Sequence, residues 1–269
     1  MVEEFWRAFV MASGVTLHIV GQRPQHPSHR GGDLQGRGSL PAGRRAGRGR
    51  HDAVDQGFPL IVGAPARPLI AVLDYGIGNL HSAHKGFEHA GADARLTADP
   101  GLIAEAAGVV LPGVGAFGPC MDGLRDRGLD EVARERIAAG VPFFAICIGL
   151  QLLFAGSDGR RAPADWGSST WVVAIPAVKR PQMQWNTVSL RREHPMFAGL
   201  EREPWVYFVH SFAAEDGPDV IGTCDYGADL VAAIAVDNVW GAQFHPEKSG
   251  ANGLRILENF VRTAGTAAP

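Results

Sequence analysis

Cysteine is scarce. Only Cys120, Cys147 and Cys224 occur in 269 residues, far apart and odd in number. No disulfide framework or zinc-type spacing can be assembled from them, so a reducing cytoplasm fits best. Long apolar runs are missing too, and no stretch is long enough to span a bilayer. Met1 to Val20 is partly apolar but opens with Glu3 and Glu4 rather than basic residues, which makes it a poor signal peptide. A large net charge is also absent. The total is −3, which gives no overall bias toward nucleic acid or an anionic membrane. The sequence has no internal repeat.

Lysine is absent from the first 68 residues, which hold nine arginines and five acidic residues and so carry +4, against −7 for the rest. From Gln25 to Gln56 the segment is Gly, Arg, Pro and His with almost no apolar periodicity. Such a segment cannot bury enough surface to offset its ordering entropy. Residues 1–68 are therefore expected to be a disordered or spurious extension. The arginines of Arg44 to Arg50 have no interleaved aromatics, which argues against a nucleic-acid arm. A domain over 69–266 is expected to follow, and a hydrophobic content of 46% is enough for a sizeable core.

What is present from Pro68 onward is alternation. Leu69 to Leu73, Gly108 to Leu111 and the run from Val141 to Ile146 read as buried strands, and Ala94 to Thr97 as a short second strand. Asn79 to Ala90, Pro100 to Ala106 and Pro119 to Ala139, the last interrupted near Gly128, read as helices between them. This order predicts an α/β fold: a mostly parallel, doubly wound open sheet with helices on both faces. After a loop-like Gly156 to Ser169, the runs Trp171 to Ala174, Thr187 to Leu190, Trp205 to Ala213, Val220 to Asp225 and Val231 to Phe244 read as further strands, some antiparallel. Gly253 to Ala264 reads as an amphipathic closing helix.

Three patterns carry chemistry. The first is the run into Cys147, with Ala145 two residues before and Gly149 two after. Small neighbours on both sides suit a tight strand-to-helix turn, a nucleophile elbow with cysteine in place of serine. Such a turn sets the sulfur at the C-terminal sheet edge, beside a helix N-terminus that favours the thiolate. The second is Pro112 to Gly118 after the third strand. It contains a G-x-G-x-x-G pattern, but a dinucleotide fingerprint belongs after the first strand. Turning backbone N–H groups toward an oxyanion is a better use of glycines at this edge. The third is His245-Pro246-Glu247. On a strand, residues i and i+2 share a face, so Glu247 is expected to orient the His245 imidazole as a base.

Together these patterns resemble the class I (triad) glutamine amidotransferases. The segments Asp74 to Leu80, Pro112 to Phe117, Pro181 to Asn186, Tyr207 to Phe212 and Gln243 to Ser249 are similar to the branch whose members are glutaminase subunits of imidazole glycerol phosphate synthase. The resemblance implies that Cys147 attacks the side-chain amide of glutamine, with His245 moving the proton and Glu247 orienting it. It implies oxyanion donors at Gly113, Val114 and Gly115, and glutamine binding by Gln151, Ser211 and Phe212. It places Asn79, Trp185 and Lys248 toward a (β/α)8-barrel cyclase that receives the ammonia in a heterodimer, and it implies no metal or organic cofactor. Two departures stand out. Ala145 replaces the family's usual glycine, and residues 156–177 are short and lack the expected glycine and proline pattern, which points to impaired recognition of the glutamine α-amino group or impaired local folding. A subunit of another synthase, or a catalytically impaired binding subunit of the same fold, fits the same residues.

Overall fold

The computed structural model describes residues 67–154, 156–157, 160–161, 172–175 and 179–267. The reading of residues 1–68 as an extension lies outside the described residues except for its last two, as does most of the short 156–177 segment. Pro68 already belongs to the hydrogen-bonded domain, since its carbonyl accepts the Asp93 N–H.

The N-terminal half alternates as expected: β1 (Leu69–Leu73), α1 (Leu80–His89), β2 (Asp93–Thr97), α2 (Pro100–Glu105), β3 (Gly108–Gly113), α3 (Phe117–Asp126), α4 (Leu129–Ala138), β4 (Phe143–Cys147) and α5 (Ile148–Leu152). Gly128 separates α3 from α4 in the left-handed conformation (φ 64°), so the helical stretch breaks there. Asp99 starts α2 by accepting the Gly101 N–H, with Pro100 in the first turn. Strands β2, β1, β3 and β4 lie side by side in that order, all parallel. The chain moves one way from β1 to β2 and the other way from β2 to β3 and β4. Right-handed crossovers therefore put α1 on one face and α2, α3 and α4 on the other. This reversal opens a crevice at the C-terminal ends of β1 and β3, where open α/β sheets bind ligands.

The second half differs from the reading in five places, the first being that the loop-like Gly156 to Ser169 carries two paired two-residue strands, β5 (Gly156–Ser157) and β6 (Arg160–Arg161). Val231 to Phe244 is two strands, β13 (Asp229–Val236) and β14 (Val239–Ala242), paired antiparallel with Val236 opposite Val239. Asp237 (φ 46°) and Asn238 make the turn, and an Asp tolerates that conformation. The Pro181 to Asn186 motif is itself a strand, β8 (Gln182–Thr187), followed by β9 (Ser189–Leu190) in a different sheet, with Val188 buried between them. The expected strand Trp205 to Ala213 breaks at Ser211 into β10 (Trp205–His210) and β11 (Phe212–Ala214). Lastly, His245 and Glu247 are not on a strand at all, because Pro246–Lys248 is a turn of 3-10 helix.

The main sheet continues from β4 to β14 in parallel, then turns antiparallel through β13, β12 (Val220–Asp225) and β9, eight strands in all. β8 and β10 form a separate antiparallel ribbon. The short strands β5 (Gly156–Ser157), β6 (Arg160–Arg161) and β7 (Val172–Ala174) join β11 in a third sheet. The closing helix α6 (Gly250–Thr266) packs on α1, and Phe87, Phe144, Trp240 and Phe260 meet there in mostly edge-on aromatic contacts. Among the described residues no helix is long and apolar enough to cross a membrane.

Candidate active site

Cys147 ends β4 with φ 55° and ψ −108°, a backbone that side-chain-bearing residues rarely adopt. The turn is tight because α5 begins at the next residue. A β-carbon on Gly149 would overlap the Leu111 carbonyl oxygen of β3, so the helix can approach the sheet here only with glycine. On the strand side, Ala145 is fully buried between Leu111 and Gly241 in the ladder, and its methyl is accommodated. Gly149→Ala is thus expected to cost about 3 kcal/mol of stability. The check is a lower urea midpoint at unchanged slope.

The other two cysteines are held as thiols. Burial pushes Cys120 up to about 11 against the opposing hydrogen bond of the Tyr75 side chain. Burial also pushes Cys224 up to about 11, where Gln182 is its neighbour. Among the three, only Cys147 sits on the strained strand-to-helix turn.

His245 and Glu247 are 2% and 3% exposed at the side chain, and His245 Nδ1 lies 2.8 Å from Glu247 Oε1. The contact is made inside a 3-10 turn rather than along a strand face. Four hydrogen bonds and close packing hold that turn. The His245 N–H donates to the Tyr207 carbonyl, the Ser249 hydroxyl donates to the His245 carbonyl (2.6 Å), the Tyr207 N–H donates to Ser249 Oγ (3.0 Å), and the Lys248 N–H donates to the His245 carbonyl. Gly253 on α6 admits the Pro246 carbonyl and Gly86 on α1 leaves room for Glu247. Burial alone would lower the His245 pKa, but Glu247 and Cys147 together raise it. Burial pushes Glu247 upward, and His245 more than reverses this, so the carboxylate is held low. Since Glu247 takes Nδ1, the nitrogen left for the sulfur is Nε2, which is buried without another partner.

The remaining candidates fall around this centre. Gly113 ends β3 opposite Cys147 in the ladder, packed so closely on Tyr75 and Gly149 that a β-carbon would not fit. The Tyr75 hydroxyl donates to the Pro112 carbonyl (2.7 Å), and the Cys120 thiol points at the Val114 carbonyl (3.4 Å), so both ends of Pro112–Val114 are tethered. Gly115 has φ 103° and is exposed, open space surrounding it. Gln151 is 1% exposed and its Nε2 donates to the Phe212 carbonyl and to Gln243 Oε1, both at 3.0 Å. Ser211 sits at the β10–β11 break, where its carbonyl accepts the Ile175 N–H. Asn79 lines a small crevice with Pro112, Gly113, Val114, Ile146, His245 and Glu247. Trp185 is 48% exposed on the β8–β10 ribbon, in edge-on contact with Tyr207, and Lys248 follows Glu247 in the 3-10 turn.

Residues 71–264 match the family glutamine amidotransferase class-I. The chain belongs to that family. Its curated relatives include the imidazole glycerol phosphate synthase subunit HisH of Syntrophotalea carbinolica, 45% identical over 208 residues and covering 71% of this chain and 98% of that one. The subunit HisH of Halobacterium salinarum is 44% identical, with 71% and 92% covered. Solved structures share the fold at lower identity. A glutamine amidotransferase crystal structure superposes with a TM-score of 0.59 at 19% identity, covering 73% of this chain and 99% of that one. PurLQS from Thermotoga maritima gives 0.58 at 17%, covering 73% and 99%. In this amidotransferase, sequence reasoning assigned no role to Tyr75, Gln243 or Ser249. Gln243 had a legible signal: a lone amide between apolar Ala242 and Phe244, two residues before the candidate base.

Proposed function

We propose that the chain is the glutaminase subunit of an imidazole glycerol phosphate synthase. It hydrolyses glutamine with Cys147, His245 and Glu247 and hands the ammonia to a (β/α)8-barrel cyclase in the cytoplasm. The observation that carries this reading is the buried His245–Glu247 pair beside a cysteine on a strained strand-to-helix turn. In the proposed reaction the Cys147 proton moves to His245 Nε2 and the sulfur attacks the amide carbon of glutamine. The oxyanion that forms takes hydrogen bonds from the Gly113–Gly115 backbone. His245 returns the proton to the departing nitrogen, the C–N bond breaks, and ammonia leaves. Water then attacks the thioester with His245 as base, releasing glutamate and the thiol.

Asn79, Trp185 and Lys248 form the proposed cyclase-facing surface. Asn79 shares its crevice with His245 and Glu247, Lys248 belongs to their 3-10 turn, and the Trp185 ring reaches Gly250 just beyond that turn. The test is a stoichiometry measurement. Chain and cyclase with its ribotide ligand are supplied with glutamine. Glutamate and cyclised product are expected in equal amounts, with ammonia staying out of the bulk. Glutamate release without any coupled product would overturn the assignment to this synthase, and no glutamate would overturn the glutaminase.

A further inference from the structure

We infer that Gln243 is an additional catalytic residue, whose side-chain amide donates a hydrogen bond to the Cys147 sulfur and selectively favours its ionised form. This rests on the reading of Cys147 as nucleophile. Gln243 is fully buried, its N–H is fixed to the Ala232 carbonyl, and its Nε2 lies 3.6 Å from Cys147 Sγ.

The direction of this contact is fixed by a chain of two amides. The Phe212 carbonyl can only accept, so the Gln151 group facing it must be the NH2. The second hydrogen of that NH2 goes to Gln243, which must therefore present its oxygen there. The Gln243 NH2 is then left facing the sulfur. His210 reinforces the start of the chain. Burial lowers its pKa to about 4, and the neutral ring donates from Nδ1 to the same Phe212 carbonyl (2.8 Å).

A neutral thiol is a weak acceptor, so the Gln243 N–H gains little from it. A thiolate in the same place accepts the Gln243 N–H as a charge-assisted bond. The amide thus contributes far more to the ionised state than to the resting one, and it does so without carrying charge. His245 is the charge partner that interacts with the same sulfur. The relay also ties the sulfur to the Ser211–Phe212 segment through Gln151, so the donor stays aimed only while that segment holds its place.

The test is the rate of iodoacetamide alkylation at Cys147, read by peptide mass in the full-length chain. Gln243→Met fills the volume without a donor, and Gln243→Glu keeps an acceptor for Gln151 while losing the donor to sulfur. The other titratable groups near the sulfur, His245 with Glu247 behind it, Tyr75 and Cys120, are unchanged in both. Gln243→Met is expected to slow alkylation at pH 7 about tenfold, the loss expected for a hydrogen bond to a charged group. Gln243→Glu should fall at least as far, since a carboxylate beside the sulfur opposes its ionisation. If Gln243→Met alkylates at the wild-type rate, the sulfur takes no support from the Gln243 amide, and the inference is overturned. Should Gln243→Met not fold, Gln243→Leu, which also lacks a donor and adds no charge, is read by the same criterion. An alkylation difference in a chain that releases no glutamate with the cyclase would keep the contact and overturn the glutaminase reading instead.

Discussion

Cys147→Ala is expected to abolish glutamine-dependent synthesis, by a factor on the order of 10^5, while synthesis from added ammonia by the partner cyclase continues. Alanine keeps the β-carbon and so leaves the positive-φ backbone at 147 as it is, and the loss will not be one of folding. The expectation follows from the proposed division of labour, in which the sulfur is needed only to release ammonia and the proposed cyclase partner consumes ammonia from any source. The measurement is product formation with glutamine and, separately, with ammonium at a pH where free ammonia is plentiful. Glutamine-dependent synthesis surviving in the pure variant would sink Cys147 as nucleophile, since the other cysteines are buried thiols.

His245→Ala should resemble Cys147→Ala, and the double variant should be little worse than either, because members of a unit that acts together lose nearly the whole effect singly. Glu247→Gln should lose less, by about one or two factors of ten, because the turn itself survives through the bonds of Tyr207, Ser249 and Lys248 to the His245 backbone. Its loss should also take a distinct form. Burial lowers the His245 pKa and Glu247 raises it together with Cys147, so removing the carboxylate should move the acid limb of the glutaminase pH profile to lower pH.

The pair also gives stability a pH window. His245, whose folded pKa is raised, contributes fully below its unfolded value of about 6.5 and loses that contribution as pH rises through the folded value. Glu247, whose folded pKa is depressed, contributes fully above about 4.3 and loses it as pH falls. Glu247→Gln should therefore flatten both limbs of the melting-temperature profile. Glu247→Gln as inactive as Cys147→Ala while folded would mean that the carboxylate acts directly. Full activity would mean that another group holds the base.

The parallel half of the fold was legible because β1, β3 and β4 are short apolar runs whose local pattern and burial agree, while the partly polar β2 was marked by its place between two helical segments. The elbow was legible for the same reason, since the approach of Gly149 to Leu111 has a sequence signature. The His245–Glu247 contact was expected for the wrong reason. Spacing of two suggested strand neighbours on one face, whereas Pro246 starts a 3-10 turn and α6, α1 and β10 press it closed. Nothing local encodes those three partners. The Asp237–Asn238 hairpin was missed because an unbroken apolar reading ran through two polar residues that make an ordinary turn. The amide relay joins Gln151 to Phe212 across 61 positions and Gln243 to Cys147 across 96, and only the folded arrangement reveals its direction.

The backbone at Cys147 has one more consequence, seen in how the position would drift. A non-glycine residue held at φ 55° costs on the order of 1–3 kcal/mol, and glycine would relieve it. A lineage freed from the need to hydrolyse glutamine, and selected only to fold and bind, would gain by exchanging this cysteine for glycine. Cysteine stands there instead, in a chain whose fold would be steadier without it. A thermal-stability screen of all substitutions at 147 would rank glycine first and so distinguish a residue retained for reactivity from one retained for packing.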